Sequence, residues 1–204
     1  MPGPDWRIPL EEGQRDWQAP FAGLPGPLVL EIGFGRGEFL LELARRAPGV
    51  PHLGVEVSWK RVLKLARRLA RSELSNVRLV HATGEQLLAT IAPSSLAAVW
   101  INFPDPWPKK RHQRRRLVQP GLVSALAERL TPGSVLHVAT DDRAYAEQID
   151  AVLAAEPRLE NDFAPQRWLR EVPCRTPTAY ELAWRAEGRP LHFWAYRRRT
   201  GAAR

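Results

Sequence analysis

Hydrophobic positions follow two rhythms along this chain. Short apolar runs at 28–32, 52–57, 77–81, 97–103 and 134–139 read as buried strands. Between them, apolar residues recur every three or four positions, the spacing of one helical face. Phe39, Leu40, Leu43 and Ala44 mark a helix over 38–47. Val62, Leu63, Ala66, Leu69 and Ala70 mark another over 59–71, with Ser58 placed to cap it. A short helix follows at 85–91, then 120–130 with Pro120 in its first turn, then 143–155. Strand and helix alternate five times, which predicts an α/β fold: an open, doubly wound, mostly parallel sheet with helices on both faces. Residues 191–199 predict a closing strand, Leu191, Phe193 and Ala195 alternating with His192, Trp194 and Tyr196.

Residues 1–27 break the pattern. They are rich in proline and read as an irregular N-terminal arm, with Trp6 and Trp17 as candidate anchors; residues 28–204 form the main domain. In a doubly wound sheet, ligands sit at the carboxyl ends of the strands. Chemistry is therefore expected at 33–37, 56–58, 82–84, 102–108 and 140–142.

Charge adds a partner to this picture. The 204 residues carry a net charge of +8, which favours a polyanion, with a membrane surface as second choice. The densest patch is 109–116, with six Lys or Arg and one His. The cations Lys60, Arg61, Lys64, Arg67, Arg68 and Arg71 read as a solvated helix face, with direct RNA contact the second choice. A single cysteine, Cys174, permits no intrachain disulfide, and no apolar run is long enough to span a bilayer. The N-terminus lacks the pattern of a signal peptide, so a cytoplasmic protein is the simplest reading. His52, His81, His112, His137 and His192 show no ligand spacing, so no metal is expected.

The first strand runs into Glu31-Ile32-Gly33-Phe34-Gly35-Arg36-Gly37. Glycines let backbone approach a ligand closely. The third glycine comes one residue early for the dinucleotide fingerprint, and an acid at 31 opposes a pyrophosphate. A ligand with an amino-acid end, S-adenosylmethionine, suits the spacing better. Glu56, ending the second strand, is placed to accept both ribose hydroxyls, and Thr83 to edge the adenine. The fourth strand ends in Asn102-Phe103-Pro104-Asp105-Pro106-Trp107-Pro108. Three prolines in five residues stiffen this loop around one carboxylate, Asp105.

The blocks EIGFGRGEF, GVEVS, NFPDPWPKKRHQRRR, TDDRAYAEQ and TPTAYE, in this order, resemble those of the bacterial tRNA (guanine-N7-)-methyltransferases from about residue 28 onward. The resemblance implies a class I methyltransferase sheet of seven strands, the last antiparallel. It implies methyl transfer from S-adenosylmethionine to a guanine in the variable loop of tRNA. No obligate protein partner is expected. Carried over by position, Glu31, Glu56, Thr83 and Asp105 hold the methyl donor, beside Gly33, Gly35 and Gly37 of the glycine loop. Asp105 is also the catalytic residue, and Lys109, Asp141, Thr178, Tyr180 and Glu181 bind substrate. Thr178, Tyr180 and Glu181 read as part of a loop before the last strand, Asp141 as the N-cap of the helix after the fifth strand, and Lys109, Lys110, Arg111, Arg114, Arg115 and Arg116 as phosphate contacts. Thr83 and Gln148 depart from the family, which usually has an acid and a tryptophan there. Alternatives are an exocyclic-amine methyltransferase, whose Asn-Pro-Pro-aromatic loop the inserted Asp105 spoils, and a non-catalytic RNA-binding subunit on the same fold.

Overall fold

The computed structural model describes residues 6–10, 13, 15–21, 23–24, 26–173 and 175–201. Cys174 and Arg204 lie outside the described residues. The strands are β1 (Leu28–Ile32), β2 (His52–Glu56), β3 (Val77–His81), β4 (Leu96–Asn102), β5 (Leu130–Thr140), β6 (Leu159–Asn161) and β7 (His192–Arg198). Alternating with them are α1 (Glu38–Arg46), α2 (Trp59–Leu69), α3 (Gly84–Leu88), α4 (Pro120–Arg129), α5 (Arg143–Ala154) and α6 (Ala179–Ala186). They form one seven-stranded sheet in the order β3-β2-β1-β4-β5-β7-β6. The first five strands pair in parallel, and β7 runs antiparallel to β5. Strand order reverses between β1 and β4, so the crevice for a ligand opens at their carboxyl ends.

Each face of the sheet carries its own core. Leu30, Val55, Val99, Ile101 and Val138 pack against α3, α4 and α5 through Leu88, Leu126, Tyr145 and Ile149. On the other face α1 and α2 meet through Leu40, Leu41, Ala44, Val62, Leu65 and Leu69. The buried stripe of α2 thus includes Leu65, while Ala70 is exposed and Leu63 half-buried. Helix spacing located the stripe but left its centre one position off, because packing on α1 sets the rotation. Ser58 sits at the N-cap of α2 but makes no side-chain cap bond; its backbone N–H donates to Glu56 Oε1 at 2.9 Å. The closing strand β7 is buried on both sides, His192 included.

The N-terminal arm closes the free edge of the sheet. Ile8 N–H donates to the Leu79 carbonyl and Leu79 N–H to the Trp6 carbonyl, a parallel bridge along β3. Trp17 is buried, and its Nε1–H donates to Thr90 Oγ1 at 3.0 Å. An exposed edge strand is an aggregation liability, and this segment covers one.

At the turn into α1, Gly37 has φ 74°, and a Cβ there would overlap the Leu65 side chain. Left-handed strain and overpacking add, so Gly37→Ala is expected to cost about 2–4 kcal/mol of stability. A urea midpoint unchanged from that of the wild type contradicts this.

Candidate active site

Two adjoining lobes, of about 290 Å³ and about 350 Å³, open at the carboxyl ends of β1, β2 and β4. Together they have the size of a pocket for a drug-sized ligand. Gly33, Arg61, Asn102, Phe103 and Asp105 line both. The first lobe continues along the glycine loop to Thr178, Tyr180 and Trp184. The second runs past Glu56, Val57, Thr83 and Glu85 to Trp107 and Arg115.

Glu31 forms the floor of the first lobe. It is 2% exposed, its Oε1 accepts a hydrogen bond from Asn102 Nδ2 at 3.1 Å, and its Oε2 is buried with no partner. Burial pushes its pKa from 4.5 up to about 7, against the pull of the Asn102 bond and the Arg175 charge. That rise corresponds to about 3 kcal/mol. An acid held this way lacks a cationic partner at Oε2.

Glu56 is the opposite case. Its Oε2 accepts from Gly35 N–H at 3.0 Å, its Oε1 from Ser58 N–H, and Arg61 lies 3.5 Å from Oε2. The carboxylate is oriented before any ligand arrives, and each oxygen has lone-pair capacity left. Gly33 and Gly35, at φ 74° and 56°, carry the loop between the two acids. Thr83 lines the second lobe, but its hydroxyl caps α3 by accepting from Gln86 N–H at 3.2 Å, in a reciprocal capping box.

Asp105 is exposed at the seam of the two lobes. Its Oδ1 accepts from Trp107 N–H at 3.1 Å. Phe103 and Trp107, on either side, hold φ at 51° and 41°. Non-glycine residues seldom take such angles, so this strained loop is set by its surroundings as well as its prolines. Trp107 lines the second lobe and packs edge-on to His112, with the Arg115 guanidinium over its ring.

Several expected placements need correction. Thr178, Tyr180 and Glu181 are not in a loop. Thr178 caps α6, its hydroxyl accepting from Glu181 N–H, and the other two lie in the helix's first turn. Thr178 and Tyr180 line the first lobe; Glu181 is 2% exposed and lines neither. Asp141 is not the cap of α5. Asp142 is, accepting from Tyr145 N–H at 2.6 Å, while Asp141 lies 3.6 Å from Arg189. Arg116 is not a phosphate contact. It is buried, donates to the Pro106 carbonyl and Gln148 Oε1, and stacks on Tyr145. Lys109, Lys110, Arg111, Arg114 and Arg115 are exposed, and the 3-10 turn Lys110–Arg115 carries the last four of them. Lys109 and Asp141 line neither lobe.

Arg175 escaped the sequence reading. Its buried guanidinium pairs with Glu181, donates to Asn102 Oδ1, and sits among the rings of Phe39, Trp100 and Phe193. Glu181 pairs in turn with Arg185 at 3.0 Å. Apart from Glu181, six residues on, its partners are distant in sequence, on α1, β4 and β7. Asn102 was the last polar residue of a predicted strand, a legible signal. Trp184 lies four residues after Tyr180 and stacks with it at 5.4 Å, a pairing that helical spacing implies once α6 is known. No group of His, Cys, Asp and Glu among the described residues is placed to hold a metal.

Residues 25–194 match the family described as Putative methyltransferase. The chain is 43% identical over 203 residues to the tRNA (guanine-N(7)-)-methyltransferase of Burkholderia ambifaria, covering 98% of this chain and 77% of that protein. The chain belongs to the tRNA (guanine-N(7)-)-methyltransferase family. The relative from Burkholderia pseudomallei is 48% identical over 174 residues, covering 83% of this chain; the chain spans 65% of that protein's length. Among solved structures, the aminoglycoside resistance methyltransferase NpmB1 superposes with a TM-score of 0.59 at 17% identity, over 86% of this chain and 89% of that one. At that identity the likeness concerns the fold: it is the class I methyltransferase sheet, on which this family member places its own acids, proline loop and α6.

Arg175→Met is expected to leave Glu181 Oε2 and Asn102 Oδ1 without their Arg175 partner in the interior and to cost about 3–5 kcal/mol, the range for half a buried ion pair. Adding Glu181→Gln should recover part of that loss. Urea denaturation of both variants checks it, and a double variant weaker than the single one by a full second increment contradicts the pairing.

Proposed function

We propose that this chain transfers the methyl group of S-adenosylmethionine to N7 of a guanine in the variable loop of tRNA. The observation that carries the reading is the buried Glu31 carboxylate with its partnerless Oε2, opening toward Asp105 and joined to a second lobe that holds Glu56. S-adenosylmethionine supplies a methyl group on a sulfonium centre, and also carries an ammonium and a ribose. Glu31 Oε2 suits the ammonium and not a phosphate. Glu56, pre-oriented by Gly35 and Ser58, suits the ribose hydroxyls. Gly33, Gly35 and Gly37 keep side chains away from the donor, and Thr83 edges the adenine.

Guanine N7 has an in-plane lone pair and no proton. No covalent nucleophile on the protein is required, and the task is alignment plus tolerance of the positive charge the base gains. Asp105 is the anion for that charge, on a loop that cannot swing away. Tyr180, stacked on Trp184, offers a flat platform beside it; Thr178, Asp141 and Lys109 extend the substrate side, and Glu181 acts by holding α6 in place. Exposed cations on the 3-10 turn grip phosphate, which positions RNA without reading its sequence. Incubation with labelled S-adenosylmethionine and bulk tRNA, followed by nucleoside analysis, should yield 7-methylguanosine. Binding without transfer would favour the RNA-binding subunit instead.

Asp105→Ala should leave tRNA affinity within about twofold and lower kcat by about a hundredfold or more. Near-normal methylation by that variant ends the assignment. Glu31 gives a pH test. A cationic ligand favours the ionised carboxyl, so below about pH 7 binding must first expel a proton. Affinity for S-adenosylmethionine should therefore fall as pH drops below about 7, approaching tenfold per pH unit, and level off above it. Calorimetry from acid to neutral pH reads this, and Glu31→Gln should bind weakly with a flat profile.

A further inference from the structure

The net charge of +8 is unevenly spread. Of the 30 Lys and Arg, six lie in residues 59–71 and six in residues 109–116, and neither segment contains an acid. The other 18 bases share the chain with all 22 acids, so the remainder is net negative. The basicity of this protein therefore resides wholly in two segments. Both reach the same cleft: Arg61 from the first and Arg115 from the second line the same lobe.

Pairing separates the exposed cations of α2 from several of the others. Arg158, Arg167, Arg185, Arg197 and Arg199, on the C-terminal third, each hold an acid within 3.2 Å. On α2, Arg61 pairs with Glu56, and Arg68 donates to the Arg36 carbonyl, so both serve the glycine loop. Lys60, Lys64 and Arg67 are exposed and have no ion pair among the described residues. They sit at i, i+4 and i+7, one stripe about 10 Å long. Arg71 continues it in the turn after the helix. Like charges stacked this way weaken a helix unless a counter-ion neutralises them. At the cleft end of the stripe, Trp59 stands 46% exposed and Val57 63% exposed. Cations with an exposed aromatic beside them fit a nucleic-acid strand. A solvated face, the simplest expectation for such a run, leaves unexplained why this helix alone has no acids.

We propose that the Lys60–Lys64–Arg67 stripe of α2 is a second phosphate-binding surface for tRNA, across the cleft from the 109–115 turn, so that the RNA straddles the site. The inference rests on tRNA being the substrate. The test compares the wild-type protein, a triple variant (Lys60→Gln, Lys64→Gln, Arg67→Gln) and a turn variant (Lys110→Gln, Arg111→Gln, Arg114→Gln). Affinity for bulk tRNA is measured across a salt series. Each lost phosphate contact removes about 0.7–0.9 from the slope of log affinity against log salt. The α2 variant should lose about 2 to 3 from that slope and raise the KM for tRNA about tenfold or more, while its affinity for S-adenosylmethionine, which reports an intact fold, is kept. A slope and KM equal to wild type, with the turn variant reduced, overturns the second surface and leaves the function standing. A wild-type slope lost in both variants, with no methyl transfer, supports the surface and removes the proposed reaction. If the α2 variant loses binding to phosphatidylserine vesicles but not to tRNA, the stripe is a membrane contact and the proposal falls.

Discussion

A line of buried charge holds this site together. Glu31 at the end of β1 meets Asn102 at the end of β4, Asn102 meets Arg175, and Arg175 meets Glu181 in the first turn of α6. Each group is costly to bury alone, so each constrains the next. Strand pairing already places β1 beside β4. The Glu181–Arg175–Asn102 contacts tie α6 to β4, and Trp184 packs on Phe103 beside Ala139 and Phe193, so the Tyr180–Trp184 platform is held at the sheet. The line ends in an unmet acceptor, Glu31 Oε2. Along this line Glu31 Oε2 is the one buried polar atom left without a partner, and Glu31 lines the cleft, as in a preorganised binding site.

The two loops at the switch point solve opposite problems. The β1–α1 loop must bring backbone close to a ligand, so it uses glycines at positive φ and lets Glu56 fasten Gly35 from the neighbouring strand. The β4 loop must hold one carboxylate still. It uses prolines, positive φ at Phe103 and Trp107, and an Asp105–Trp107 turn bond, with Arg116 clamping the Pro106 carbonyl from behind. Arg116 lies within the basic block, yet its place is structural. The other five cations in that block are exposed.

The fold by itself is a weak guide to chemistry here. Its solved neighbours share under a quarter of their residues with this chain, and the same sheet serves many reactions. What distinguishes the chain is the furniture at the carboxyl edge: the free acid under the first lobe, Asp105 at the seam, and two basic segments that leave the rest of the chain net negative.

The elements and the ligand edge were legible in the sequence because their causes are local. Strand and helix periods, the Gly33–Gly35–Gly37 spacing and the proline loop all express short-range sterics, and alternation of elements dictates a parallel sheet. The helix ends, the rotation of α2 and the identity of the α5 cap were not, since Asp141 and Asp142 are equivalent until packing turns one toward the helix. The helical state of residues 179–186 was hidden by the irregular stretch around it, although its Thr178-x-x-Glu181 capping box is a local signal. Arg175 was wholly illegible: its meaning depends on partners more than 70 residues distant on β4 and on the rings around it. The sequence by itself determined which residues stand at the mouth of the sheet. Only the tertiary structure decided which of their charges are spent on one another and which remain free for a ligand, because pairing is a matter of distance in space and chain order carries no record of it.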